Sequence, residues 1–158
     1  MSFVFADNEL GRIRKNGTKI IVVSGSGSRV GKTYIAEQLL RSLKNWSALK
    51  VTVSKEDGCP HKRSCGVCLG IQKPFYIIKG KDIINQLGKD TFRLKEAGAK
   101  EVIWLKAKPE GLREGLVNAF SEFLDCSWIV IEGTSVLKFI HPDLNIYVDE
   151  RGRQSLCY

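Results

Sequence analysis

Two stretches of this chain gather side chains whose types and spacing suit chemistry. The first is Gly25-Ser26-Gly27-Ser28-Arg29-Val30-Gly31-Lys32-Thr33, between the apolar run KIIVVS and a helical pattern. A loop that cradles phosphate needs glycines, so that the backbone can curl and turn its N–H groups inward. It also needs a lysine to reach the outer phosphates and a Ser or Thr to hold Mg²⁺. A helix must open directly behind it, because its N-terminal amides add positive potential. All of these come here in that order, with five residues between Gly25 and Gly31. The usual Gly-x4-Gly-Lys-Thr spacing would put its first glycine where Ser26 stands, and the backbone N–H of Ser26 is still expected to donate. Residues Gly25 to Thr33 are therefore read as the phosphate site, with Lys32 on the β/γ-phosphates and Thr33 on Mg²⁺. An ordinary Gly/Ser turn would not require Gly-Lys-Thr at the helix start.

Such a loop works with an acid at a neighbouring strand end. Glu132, in WIVIEG, is the expected contact to Mg²⁺ or to an attacking water, which makes Lys32 and Glu132 the candidate catalytic pair. Glu56 or Asp57, after KVTVS, is a second candidate beside the γ-phosphate.

The second stretch, GCPHKRSCGVC, holds Cys59, His61, Cys65 and Cys68. Cys65-x-x-Cys68 is the usual tight half of a zinc site, and Cys59 with His61 would complete a tetrahedral set. An iron–sulfur cluster on the three cysteines or a redox pair is the alternative chemistry. His61, two residues from Cys59, is the most cramped ligand. Of the other cysteines, Cys126 reads as a small core residue, and Cys157 carries no assignment.

The elements that must position these groups alternate. Strands are expected at 19–24, 50–54, 74–78, 101–105, 128–131 and 144–148. Helices are expected at 31–43, 82–87, 91–97 and 111–124, the longer ones from apolar residues at helical spacing. The β-branched run before Gly25 suits a strand buried on both faces. This alternation implies an α/β fold with a mostly parallel sheet and crossover helices. The closing RGRQSLCY reads as a short tail or a truncation point. Trp46, Trp104 and Trp128 read as packing, and His141-Pro142-Asp143 as a turn.

At 158 residues the chain is expected to be one domain, 1–158, with a Cys-rich insertion at 56–73. Its formal net charge of +8 suits an anionic ligand. The basic residues are scattered, without the arginine-rich runs or aromatic interleaving of a nucleic-acid surface, so nucleic acid is not the expected partner. No run reaches the roughly 18 apolar residues of a membrane span. The N-terminus has its acids early and its bases late, unlike a signal peptide. A cytoplasmic location is expected, which also favours metal or redox roles for clustered cysteines over disulfides.

Three motifs taken together carry a resemblance. The Gly25–Thr33 loop, the stretch Gly88-Lys89-Asp90-Thr91-x-Arg93 running into Ala97-Gly98-Ala99, and the strand ending in Glu132-Gly133 resemble the molybdopterin-guanine dinucleotide biosynthesis adaptor family, MobB. The resemblance covers about residues 18 to 150. It implies a three-layer P-loop NTPase domain that binds GTP or ATP with Mg²⁺, hydrolyses it slowly and forms a homodimer. It also implies a partner protein in molybdenum-cofactor or other metallocofactor maturation. Asp90 and Arg93 are then assigned to the nucleotide site. Two departures stand out: the family's phosphate loop is shorter, and it carries histidines where this chain has Lys55-Glu56-Asp57. The loop spacing is itself similar to that of dethiobiotin synthetases, which leaves an ATP-dependent small-molecule kinase or ligase as a rival. The cysteine loop leaves a nucleotide-switched metal-binding module as another.

Overall fold

A computed structural model describes residues 13, 17–54 and 72–149, and the backbone of 154–157. Seven strands form one sheet: β1 (Lys19–Gly25), β2 (Ser47–Val53), β3 (Phe75–Ile78), β4 (Val102–Ala107), β5 (Trp128–Glu132), β6 (Leu144–Val148) and β7 (Gln154–Cys157). Their order is β3-β4-β2-β5-β1-β6-β7. The five inner strands are parallel, and β3 and β7 close the two edges antiparallel. The expected α/β architecture with a mostly parallel sheet is therefore present. The closing segment is an edge strand, not a tail: Asn145 to Val148 pair with Cys157 to Gln154.

The helices are α1 (Lys32–Ser42), α2 (Lys81–Ile84), α3 (Asp90–Glu96) and α4 (Leu112–Glu122), with 3-10 turns at Pro109–Gly111 and Ser135–Lys138. The strand period of two sorts the core into two layers. Ile20, Val22, Leu49, Val51, Ile103, Leu105, Ile129 and Ile131 face α4 and bury Leu116, Ala119, Phe120 and Phe123 against them. Val23, Ala48, Val102, Trp104 and Val130 face the other way, onto Ala36 and Leu40 of α1, Ile84 of α2 and Leu94 of α3. The result is three layers, with helices on both faces of the sheet.

Trp46 and Trp104 are buried in that second layer, and the Trp46 ring lies 5.0 Å from the Trp128 ring, centroid to centroid. Cys126 is partly buried against the α4 layer, as a small packing residue. His141 to Asp143 form the turn into β6. The Asp143 carboxylate fixes it, accepting from the Ile20 N–H at 2.9 Å and from Lys19 at 3.0 Å. Among the described residues no helix is long and apolar enough to cross a membrane.

Candidate functional site

Parallel α/β sheets bind ligands outside the carboxyl ends of their strands. Here a cleft of about 1000 Å³ opens beyond the ends of β1, β2 and β5, roofed by the β1–α1 loop and the start of α3. Five basic side chains line it (Arg29, Lys32, Lys50, Lys89 and Arg93) against two acidic ones, Asp90 and Glu132. That excess selects an anion, and one carrying several charges.

The β1–α1 loop is shaped by close approach and by handedness. A Cβ on Gly25 would stand 2.7 Å from the Val148 carbonyl and 2.8 Å from Val30 Cγ2. The displaced first glycine is thus required by the neighbouring strand. Arg29 (φ 63°) and Gly31 (φ 102°) are both left-handed, and Gly31 caps α1 without any side-chain capping bond. Left-handed residues are what curl a loop into a concave, amide-lined turn. The Gly25 N–H donates to Thr134 Oγ1 at 3.0 Å, and that hydroxyl donates back to the Gly25 carbonyl.

Most of the expected phosphate-site residues line the cleft, but two assignments need correction. The Ser26 N–H is not available to a ligand, because it donates to Val148 O at 3.0 Å and prolongs the β1–β6 pairing by one residue. Val30 does not line the cleft; it packs on the α1 layer of the core. Ser26 itself still lines it, together with Gly25, Gly27, Ser28, Arg29, Gly31, Lys32 and Thr33.

Lys32 bends back over its own loop and donates to the Gly27 carbonyl. Its pKa is lowered, first by burial and then by the Lys50 charge, with Glu132 and Asp90 pulling the other way. An anion arriving in the cleft relieves that strain on the ammonium.

Glu132 is not a solvated strand-end acid. It is 2% exposed, its Oε1 accepts from Thr33 Oγ1 at 3.0 Å and from Lys50 Nζ at 2.5 Å, and its Oε2 is buried without a hydrogen-bond partner. Orphaned buried oxygens are rare and mark places where a ligand or water is accepted. Asp90, at the first position of α3, accepts from the same Lys50 Nζ at 2.8 Å. Burial alone would raise the Asp90 pKa, but the Lys50 charge and the bond from Lys50 outweigh it and hold it below the ordinary value.

Lys50 is the residue the sequence reading passed over. Its Cα pairs with Glu132 on one side and Trp104 on the other, so strand parity places it in the α1 layer, deep in the cleft. Burial works against its charge, yet Glu132 and Asp90 together raise its pKa. The available signal was a lysine inside SALKVTV, a run otherwise free of charge. It was hidden because the strand was expected to begin at Lys50, whereas it begins at Ser47.

Arg93 stands at the cleft, but its guanidinium makes a two-pronged bond to Glu37 of α1, at 3.2 and 2.5 Å. In this structure it braces α3 on α1. Asp57 and Glu56, and the candidate metal ligands Cys59, His61, Cys65 and Cys68, lie outside the described residues.

The oxygens of Thr33, Glu132 and Asp90 are of the kind that holds Mg²⁺. An ammonium already stands among them, however, and the set does not fit a divalent ion without displacing Lys50. Comparison of the chain with family models, curated proteins and solved structures gives no match.

Proposed function

We propose that the cleft binds a nucleoside triphosphate, ATP or GTP, by its phosphates, and that the chain is a slow NTPase of the P-loop kind. In this reading it is a MobB-like accessory protein in molybdenum-cofactor or other metallocofactor maturation. The observation that carries the phosphate reading is convergence. The curled β1–α1 loop, the uncapped start of α1 and five basic side chains all meet in one cleft at the carboxyl end of the sheet. Lys32 leaves the Gly27 carbonyl for the β/γ-phosphate oxygens. Glu132 Oε2 accepts a proton of the water that attacks the γ-phosphorus, as the bond to the β–γ bridging oxygen breaks. A homodimer, a cytoplasmic location and a zinc ion or iron–sulfur cluster on Cys59, Cys65 and Cys68 belong to the same proposal.

Calorimetric titration of ATP and GTP into parent and Lys32→Ala tests it. A charge-assisted contact in a confined site is worth on the order of 1.5–3 kcal/mol, so affinity falls roughly ten- to a hundredfold with the fold intact. Equal affinity in both proteins refutes the phosphate reading.

The size of the cleft favours one second reading. It runs past the loop to Thr52, Val53 and Trp104, at the upper end of the volumes of small-molecule sites. That leaves room for an acceptor beside the phosphates, as in a kinase or ligase of the dethiobiotin synthetase kind. Turnover that depends on an added acceptor would favour it; slow hydrolysis without one favours the accessory role.

A further inference from the structure

The divalent ion expected beside Thr33 and Glu132 and the ammonium of Lys50 compete for one place. Glu132 Oε1 accepts from both Thr33 Oγ1 and Lys50 Nζ, and the same Nζ reaches Asp90 Oδ2. The oxygens a hard cation would take are already gathered on a charge tethered to the sheet.

Lys50 is not free to leave. It sits within β2, between β4 and β5, and its side chain is only 15% exposed. Swinging out would carry it past Arg29, Lys32, Lys89 and Arg93, which line the same cleft. A divalent ion would have to break two charge-assisted bonds and then add its own charge to a site already in positive excess. An ammonium has three N–H donors, and two are spent on the carboxylates. The third remains for a ligand oxygen.

We infer that Lys50 is the built-in cation of this cleft. It holds Glu132 and Asp90 in place of a divalent metal, and it donates its remaining N–H to a polyphosphate, which therefore binds without Mg²⁺. The second half of this inference rests on the phosphate reading above; the first half does not, and it is tested without nucleotide.

Mn²⁺, a paramagnetic probe for oxygen sites, is titrated into the nucleotide-free protein and followed by electron paramagnetic resonance. The parent should bind none through Glu132. Lys50→Gln should bind one ion, lost again in Lys50→Gln/Glu132→Gln. Parent protein that binds Mn²⁺ in a Glu132-dependent way overturns the inference, as does a folded Lys50→Gln protein that binds none. ATP and GTP are then titrated in Mg²⁺ and in chelator. Parent affinity should differ less than about threefold between the two, while Lys50→Gln becomes at least about tenfold tighter with Mg²⁺. A tenfold Mg²⁺ requirement in the parent overturns the inference even if Lys50→Gln does not fold. Absence of ATP and GTP binding in every condition, with the Mn²⁺ results as expected, refutes the phosphate reading and the polyphosphate half while supporting the cation position.

Discussion

Against one face of the sheet, α4 and the residue that ends it lay Leu112, Leu116, Ala119, Phe120 and Phe123 on a surface of β1, β2, β4 and β5 that carries no charge. Against the other, α1 and α3 cover the same strands, but Thr33, Glu37, Thr91 and Glu132 are buried among the apolar groups, and Lys50 is nearly so. Both faces are closed by helices of similar length, α1 and α4 having 11 residues each. The α4 face is built as a mainly hydrophobic core, interrupted only by the small hydroxyls of Thr18, Ser24 and Ser47, and its stability grows with the apolar area it removes from water. On the α1 face, part of that area is given up to a charge cluster that must be fully paired to be tolerated. Stability alone gives no reason to bury a lysine and two carboxylates where valines would fit. The asymmetry therefore marks the α1 face as the working one.

The comparison is broken most severely on the apolar side. Phe120 is fully buried, and Phe120→Ala leaves a cavity that no charge or water can fill usefully. It should cost about 3–5 kcal/mol in urea unfolding. Among proteins that remain folded, triphosphate affinity should not change. A large loss of affinity would mean that the two faces are not functionally separate.

On the charged side, Lys50→Met leaves Glu132 buried beside a methionine. Removing one partner of a buried pair costs about 3 kcal/mol, the low end being apt because Lys50 keeps some exposure. Lys50→Met/Glu132→Met should recover most of that loss, because what destabilises is the uncompensated charge and not the lost contact. If the double variant is no more stable than the single one, the cluster contributes through packing.

The same cluster sets a pH signature. Asp90 has its pKa held down, so its stabilisation is present above its ordinary value of 3.8 and is lost as pH falls through the folded value. Lys50 has its pKa held up, so its stabilisation is complete below 10.5 and is lost as pH rises through the folded value. Lys32, held down mainly by burial, works the other way: its penalty is relieved as the pH rises. The stability difference between parent and Lys50→Met isolates the pair. It should shrink as acid removes the carboxylate charge that Lys50 faces, and again above about pH 10.5. A difference independent of pH across that range would show that Lys50 is not ion-paired in solution.

The two faces also differed in how well the sequence announced them. The strands around Val22, Leu105 and Ile131 read as short, nearly continuous apolar runs, within two residues of their ends. The helix that presents Leu116 and Phe120 was readable as well. Glu132 was legible because a strand-terminal acid followed by glycine stands out. Lys50 was not, since its meaning comes from being opposite Glu132 and within reach of Asp90, 40 residues further on. Pairing across strands is a register, and register is not written in local composition. The same reason hid the engagement of Ser26 with Val148 and the edge strand at 154–157, where four residues carry too short a pattern to declare a period.

The smallest expected effect concerns Arg93, where resemblance and geometry point in different directions. The motif suggests a phosphate contact, whereas the structure spends both prongs of the guanidinium on Glu37. That hydrogen bond is the leading reason the Arg93 pKa is raised, and it is a contact within the protein. The arginine side chain is 42% exposed, so its pairing is screened and worth at most about 1 kcal/mol. Arg93→Ala should lower the unfolding free energy by no more than that and change ATP or GTP affinity less than about threefold. Arg93→Lys should not restore the brace, because a single ammonium cannot reproduce a two-pronged bond to a carboxylate. A tenfold loss of affinity in Arg93→Ala with unchanged stability would mean the guanidinium leaves Glu37 for the ligand. The start of α3 would then belong to the moving part of the site, and α1 would hold it only while the cleft is empty.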